Sequence, residues 1–382
     1  MSLMSDDIHN ASLWQSGGDA NYSATTHTVN NTQAITASVN ATMATRFAVM
    51  TPSDFVYYLL VIKRFLTPVI IIVGVPGNVI VTATLMRSPL SKFSSSHYLS
   101  AIAIANTVYL SVLALTYITM LGHNVYDRPM VCQFVFLTKD MSSFLSVWLP
   151  VSLCVDRYIA ICWPAEAPKM CTVMRTHAVA AALVSVGLVV YLNKSITVGV
   201  VRDSMTLAPR CNELPLAFNK SVSLEVLNLL FNHLLPYVVI TLLLGAICLA
   251  DKHSEPSQIR RTTIAYFLFY IVSHAPQDVM HARDVHMSSV QPSEHSVADV
   301  ACRFAFSYLS HLGMAGNVFI LLASYPLFRQ YVAAKLRRVA CVNWRSCRRS
   351  GGQAGDCCSD FQQLQLQSSS KHANDISETT FV

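Results

Sequence analysis

Seven stretches of this chain are rich in Leu, Ile, Val, Ala and Phe and almost free of charge. They run from Phe65 to Met86, Ser96 to Leu121, Met130 to Cys162, Thr176 to Val201, Val222 to Ala250, Thr262 to Met280 and Ala301 to Leu322. Crossing roughly 30 Å of hydrocarbon takes about 20 helical residues, so each run is a candidate span. The third run carries Lys139-Asp140 near its start and the sixth is barely long enough, so these two rest partly on their neighbours. Pro68, Pro76, Pro236 and Pro276 fall inside runs, which membrane helices tolerate where packed neighbours satisfy the freed carbonyls. The pattern predicts an all-α membrane protein, a seven-transmembrane helix bundle over residues 56–324.

Beyond the last run, Phe328, Val332, Leu336 and Val339 share one helical face, flanked by Arg329, Lys335, Arg337 and Arg338. That spacing predicts an amphipathic helix over 325–340, with membrane lipids of an anionic leaflet as its partner. Residues 1–55 are rich in Ser, Thr, Asn and Ala without helical period, and 341–382 are rich in Gln and Ser. Both read as disordered tails.

Composition agrees with a lipid environment. Of 382 residues, 53% are hydrophobic and only 13% charged, where a soluble domain carries about a quarter charged residues. The net charge of +6 is spread over short breaks rather than one stripe, so nucleic acid is not an expected partner. Lys and Arg are only modestly biased between the two sets of breaks, and Lys63-Arg64 run against the bias. Sequons at Asn10, Asn21, Asn30 and Asn40, with another at Asn219, place glycosylation and the amino terminus outside. Of eleven cysteines, Cys132, Cys211 and Cys302 fall where an oxidising compartment reaches them. Cys341 and Cys347 sit beside basic residues as palmitoylation candidates, against unmodified thiols as the plain alternative. The chain ends Thr380-Phe381-Val382, a pattern that PDZ domains accept as an added strand.

Near the inner end of the third run stands Asp156-Arg157-Tyr158-Ile159-Ala160-Ile161, with Pro164 a turn further on. Gly77-Asn78, Cys132, Cys211, Pro236, Pro276, Asn317 and Phe328-Arg329 follow in matching order. Together these resemble the rhodopsin-like (class A) G-protein-coupled receptors over about residues 58–340. The narrower string Arg157 to Pro164, with Ala167-Pro168-Lys169 and Cys171-Thr172, looks like FMRFamide-type and related neuropeptide receptors.

The resemblance implies a receptor on the plasma membrane that activates heterotrimeric G proteins, with arrestin as a further partner. It implies that Arg157, held by Asp156 at rest, swings out to the G protein, with Tyr158 and Pro164 alongside. It also implies that Cys132 and Cys211 form a disulfide pinning the second outer loop. No cofactor or metal is expected.

The departures shape the ligand expectation. The second-span Asp usual in this family is Asn106 here, so Asn106, Ser146 and Asn317 offer oxygens to sodium without a charge. The usual sixth-span Trp is His274, preceded by Tyr270, and the usual fourth-span Trp is missing. The inner tyrosines of spans five and seven are Leu244 and Leu321. An amine receptor's aspartate is replaced by Lys139, which would repel an amine; its two readings are an internal ion pair, with Asp278 as one partner, and contact with a ligand carboxylate or carbonyl. Asp140 is rotated about 100° toward a neighbouring helix.

Lys139, Ser143, His274, Gln277, Asp278, His281, Arg303, Ser307 and His311 form the candidate ligand pocket, polar and charged, suited to a peptide-like ligand. His274 reads as a hydrogen-bonded core histidine rather than a proton sensor. Residues 304–327 contain no lysine, which excludes an opsin's Schiff base. Three alternatives remain: a constitutively active receptor-like protein, a non-signalling one, and a transporter or channel, against which the chain shows no internal repeat. No nucleophile-base set or phosphate loop suggests an enzyme.

Overall fold

The computed structural model describes residues 52–123, 125–192, 194–202, 209–214, 229–250, 257–290 and 296–335. Seven long helices dominate these residues: α1 (Pro52–Arg87), α2 (Ser94–Met120), α3 (Val131–Cys162), α4 (Val173–Tyr191), α5 (Leu230–Leu249), α6 (Ser257–Val290) and α7 (Val297–Ser324). All but α6 are long and apolar enough to cross a membrane. At 34 residues α6 is long enough as well, but Arg260, Arg261, Asp278, Arg283 and Asp284 dilute its hydropathy. A further helix, α8, covers 326–335.

Three of these boundaries depart from the apolar runs, each for a physical reason. Helix α1 begins at Pro52 and runs through Lys63 and Arg64, so the charges that bound the apolar run do not interrupt the helix. Helix α4 stops at Tyr191, and the Val-rich continuation to Val201 instead enters a β-strand. A short Val-rich run fits a buried strand as well as a helix end. Helix α6 runs outward to Val290, well past Met280, because its polar outer turns need not contact lipid. The described part of α5 starts after Val222; residues 222–228 lie outside the described residues.

Local chemistry sets several ends. Ser296 and Asp299 form a reciprocal capping box at the start of α7. Thr172 caps α4 by accepting the Arg175 N–H. Pro236 has no N–H to give the carbonyl of Asn232, and the turn before it, Leu230–Leu234, widens to π form.

Strands β1 (Val198–Arg202) and β2 (Pro209–Glu213) pair antiparallel, with Val200 opposite Cys211. A disulfide joins Cys211 to Cys132 at the head of α3. Val198 packs against Cys132 and Phe136, and Asp127 accepts the Cys211 N–H at 2.8 Å. The loop named as second and outer in the sequence is thus a hairpin riveted to α3.

The apolar core joins Leu85, Leu99, Leu153, Ile240, Phe267, Leu321 and Phe328. Close approach requires glycine at two points. A Cβ on Gly74 would meet Leu110 at 2.5 Å and Ala315 at 2.8 Å, and one on Gly313 would meet Ser273 at 2.5 Å. These glycines let α1 approach α2 and α7, and let α7 approach α6.

Candidate functional site

At the end away from the hairpin, α3 presents Asp156-Arg157-Tyr158. The buried Asp156 accepts from the Ser94 hydroxyl at 2.7 Å and from the Arg157 guanidinium at 2.9 Å. Ser94 opens α2, so the carboxylate is oriented by two helices. The Cys171 thiol, which points at the Asp156 carbonyl, is pushed up to about 12 by burial and by the Asp156 charge, and so stays a neutral, weak donor. Tyr158 accepts from the Trp163 indole at 3.3 Å beside half-buried Pro164. Among the described residues Arg157 has no ion pair to another helix. The corresponding ends of α6 and α7 are tied instead by the Thr262 hydroxyl donating to the Ser324 carbonyl at 2.8 Å.

In the middle of the bundle lies a polar cavity of about 20 Å³, ringed by Asn106, Ser146, Ser273, His274 and Asn317 among others. Ser146 donates to Asn106 at 3.0 Å, and Asn317 donates to Asn78 at 3.2 Å, which in turn donates to the Met314 carbonyl. The volume suits a water molecule. With amide and hydroxyl oxygens but no carboxylate, it is a poor cation site. Agonist affinity is therefore expected to change little when sodium chloride is exchanged for a bulky organic chloride. Asn106→Asp should introduce a sodium dependence in the usual allosteric range of about 5- to 150-fold. A strongly sodium-dependent wild-type chain would contradict this reading.

The half of the bundle nearer the hairpin holds most of the candidate pocket residues. The π turn of α5 brings His233 to Asp278 on α6, with Nδ1 to Oδ1 at 2.6 Å, and the Tyr237 hydroxyl donates to the other carboxylate oxygen. His281 stacks on His233 with ring centroids 4.7 Å apart. Tyr237 lies beside Tyr270, whose hydroxyl donates to the Ser146 carbonyl at 3.4 Å and whose ring meets His274 edge-on. His274 is buried and its Nδ1 is paired with Ser310 at 3.4 Å, as a core histidine. His311 on α7 bonds Tyr109 through Nε2 at 3.2 Å.

Asp278 is not the partner of Lys139. It is claimed by His233 and Tyr237, which the sequence reading did not single out, so that ion-pair alternative falls. Lys139 lies over the Phe136 ring at 5.8 Å. Arg303 pairs with Asp284 at 3.4 Å and Arg283 with Asp299, stitching α6 to α7. Ser143, Gln277 and Ser307 are half-buried and have no hydrogen-bond partner among the described residues. Asn10, Asn21, Asn30, Asn40, Asn219, Cys341 and Cys347 lie outside the described residues, as do Leu336 and Val339 of the amphipathic face. The signal for His233 was present in Pro236, three residues on: a proline disturbs its preceding turn, and the π turn here brings His233 to Asp278 while Leu230, Phe231 and Leu234 stay exposed.

A helical bundle of apolar segments, closed at one end by a riveted hairpin and carrying at the other an Asp-Arg-Tyr whose aspartate is buried, has the architecture of a seven-helix membrane receptor. Residues 77–321 match the family described as 7 transmembrane receptor (rhodopsin family), and the chain belongs to that family. It is a G-protein-coupled receptor, a multi-pass membrane protein and not an enzyme. It is similar to somatostatin receptor type 1 of Rattus norvegicus, Mus musculus and Canis lupus familiaris, at 29% identity over 110 residues in each case. Each match spans 28% of this chain and 28% of the relative's length.

Proposed function

We propose that the chain is a ligand-gated receptor of the plasma membrane for an extracellular peptide-like or other polar ligand, activating heterotrimeric G proteins through Asp156-Arg157-Tyr158. The observation that carries this is the outer polar cluster. Asp278, His233, Tyr237 and His281 gather from α5 and α6 into a polar cluster that suits a polar ligand better than an apolar one, and Lys139 on α3 and His311 on α7 add further polar groups to the proposed pocket. The similarity to receptors named for somatostatin supports the same direction. Ser143, His274, Gln277, Arg303 and Ser307 complete the proposed pocket.

In this reading the amino terminus faces outside, with glycans at Asn10, Asn21, Asn30, Asn40 and Asn219 on the 1–55 tail and an outer loop. Residues 56–324 form the bundle and 325–340 the amphipathic helix. The 341–382 tail is inside, lipidated at Cys341 and Cys347 and open to arrestin and a PDZ-domain partner. Arg157 does the coupling, with Tyr158 and Pro164 beside it. Its one salt bridge among the described residues, to the adjacent Asp156, must open for the guanidinium to reach a G protein. Such a local ion pair is a two-state element that ligand can bias.

A specific observation favours a second reading, that of a constitutively active receptor. No ion pair crosses from Arg157 to another helix among the described residues, and the inner end of α6 carries Arg260 and Arg261, which oppose Arg157 in charge rather than holding it. One hydrogen bond, Thr262 to Ser324, is a weak latch. Expressing the chain and Arg157→Ala with a G-protein activation reporter tests both readings. The ligand-gated reading expects a response to peptides that falls to background in the variant at equal surface expression. A high signal without ligand, lost in the variant, selects the constitutive reading. An unimpaired Arg157→Ala response rejects coupling through Arg157.

A further inference from the structure

We propose that His97 on α2 and His177 on α4 form a binding site for a divalent transition-metal ion of the nickel, copper and zinc group. The pair lies at the end of the bundle away from the hairpin, with His97 in the first turn of α2 and His177 in the second turn of α4. His177 Nε2 is 3.0 Å from His97 Nδ1, and the rings meet edge-on, with centroids 4.7 Å apart and planes at 81°. Because 80 positions separate the two residues in the chain, no ligand spacing announces them in the sequence.

The surroundings set the tautomer of His97. Its Nε2 lies 2.7 Å from the Ser91 carbonyl, which can only accept, so Nε2 carries the proton and Nδ1 presents a lone pair toward His177. Metal-ligating histidines are ordinarily oriented this way, with the second ring nitrogen donating to a carbonyl or carboxylate. Ser91 belongs to the 3₁₀ turn Pro89–Lys92, which is capped by Ser88. The neighbours Tyr98 and Thr176 are both buried, so α2 and α4 are packed together beside the pair. His177 itself is exposed, which leaves an entry path from water.

The spacing fits a shared ion. With metal–nitrogen bonds of about 2.0–2.1 Å, nitrogens 3.0 Å apart subtend roughly 90–100° at the metal, near the right angle of octahedral or square-planar coordination. A tetrahedral ion needs them about 0.3–0.4 Å further apart, which rotation of the exposed His177 ring supplies. Without an ion, His177 Nε2–H donates to His97 Nδ1. When the ion binds, that proton passes through water to His177 Nδ1, and both lone pairs turn to the metal with no proton lost. No group of three or more His, Cys, Asp or Glu side chains among the described residues is placed to hold an ion, so the site is open and water fills its other positions. The cations nearest in sequence, Lys92 and Arg175, are exposed and screened by salt. Imidazole nitrogen selects transition ions over magnesium and calcium, which take oxygen ligands. Ser94, one turn before His97, donates to Asp156, so an ion here ties α4 to the end of α2 that orients this carboxylate.

The test uses the purified full-length receptor in detergent, made without a histidine tag and stripped with a chelator. Zinc chloride is titrated in competition with a fluorescent zinc chelator, and melting is followed with zinc or with magnesium. His177→Gln is the decisive variant: its side-chain amide keeps an N–H donor for His97 Nδ1 but has no imidazole lone pair, so the hydrogen bond stays and the ion goes. His97→Ala is the reciprocal variant. Comparison with wild type subtracts any zinc held by other histidines, those of the outer cluster included.

Wild type should bind one zinc ion more than either variant, and the double variant no fewer than the single ones, since both changes remove one shared ion. Affinity at that site should fall by at least about 10- to 100-fold, the loss typical even when only an orienting partner of a ligand is removed. Zinc should raise the melting temperature of wild type more than that of His177→Gln, and magnesium should do neither. Equal zinc uptake and equal melting shifts in wild type and His177→Gln overturn the proposal and leave a hydrogen-bonded histidine pair only. Loss of the ion in one variant and its retention in the other overturns it as well, because the ion needs both rings. None of these readouts depends on signalling, so the site stands or falls apart from the receptor reading above.

Discussion

Cys211→Ser is expected to lower the receptor's thermal stability and to reduce its surface expression sharply. The bond to Cys132 closes a loop 79 residues apart in sequence, and removing a native disulfide typically costs about 2–5 kcal/mol. The consequence is local as well as global. Cys211 is the β2 residue facing Val200, and the bond holds this pair against Phe136, next to the Lys139 ammonium. With the bond gone, a two-stranded hairpin is only marginally stable by itself, retained by its ladder and by the Asp127 contact to the Cys211 N–H. Cys132→Ser should do the same damage, and the double variant should be no worse than either alone, because both remove one shared bond. Melting curves of the purified proteins and surface labelling of cells measure this. Unchanged melting in either single variant would show that ladder and Asp127 suffice.

The bundle could be read from the sequence because lipid imposes a simple demand: every span must be apolar over about 20 residues. Helix ends are less constrained. Lys63 and Arg64 mark the end of an apolar run but not the end of α1, which continues through both charges. Val198 to Val201 extend the fourth run by composition, yet pair with β2, because a Val-rich segment carries no period that separates strand from helix at that length. The Asp-Arg-Tyr end and the Cys132–Cys211 bond were legible from fixed residue types in a fixed order. Partners that depend on rotation about a helix were not: Ser94 for Asp156, and His233 and Tyr237 for Asp278, come from other helices and are set by packing. That is why Lys139 could be given Asp278 as a candidate partner when Asp278 is held by His233 and Tyr237.

Asp278→Ala is expected to have the second large effect, on stability and on signalling together. Its carboxylate joins His233 of the π turn to α6 and also takes the Tyr237 hydroxyl, so its removal strands two buried or half-buried polar groups on α5. Breaking a buried pair from one side typically costs about 3–5 kcal/mol, and the exposure of 16% at Asp278 and 24% at His233 puts this pair toward the lower end. Asp278→Asn can still accept from Tyr237 while losing the charge, so melting temperatures should fall in the order wild type, Asn, Ala.

The chain of contacts from Asp278 through Tyr237 and Tyr270 to the Ser146 carbonyl reaches the central cavity. Loosening its outer end should therefore also weaken agonist efficacy, beyond any loss of affinity. A double-mutant cycle with His233→Ala separates pair from background: coupled residues typically show about 0.5–3 kcal/mol of interaction. If Asp278→Ala melts with wild type, or if the two variants add without coupling, the α5–α6 pair is incidental, and the π turn before Pro236 serves packing alone.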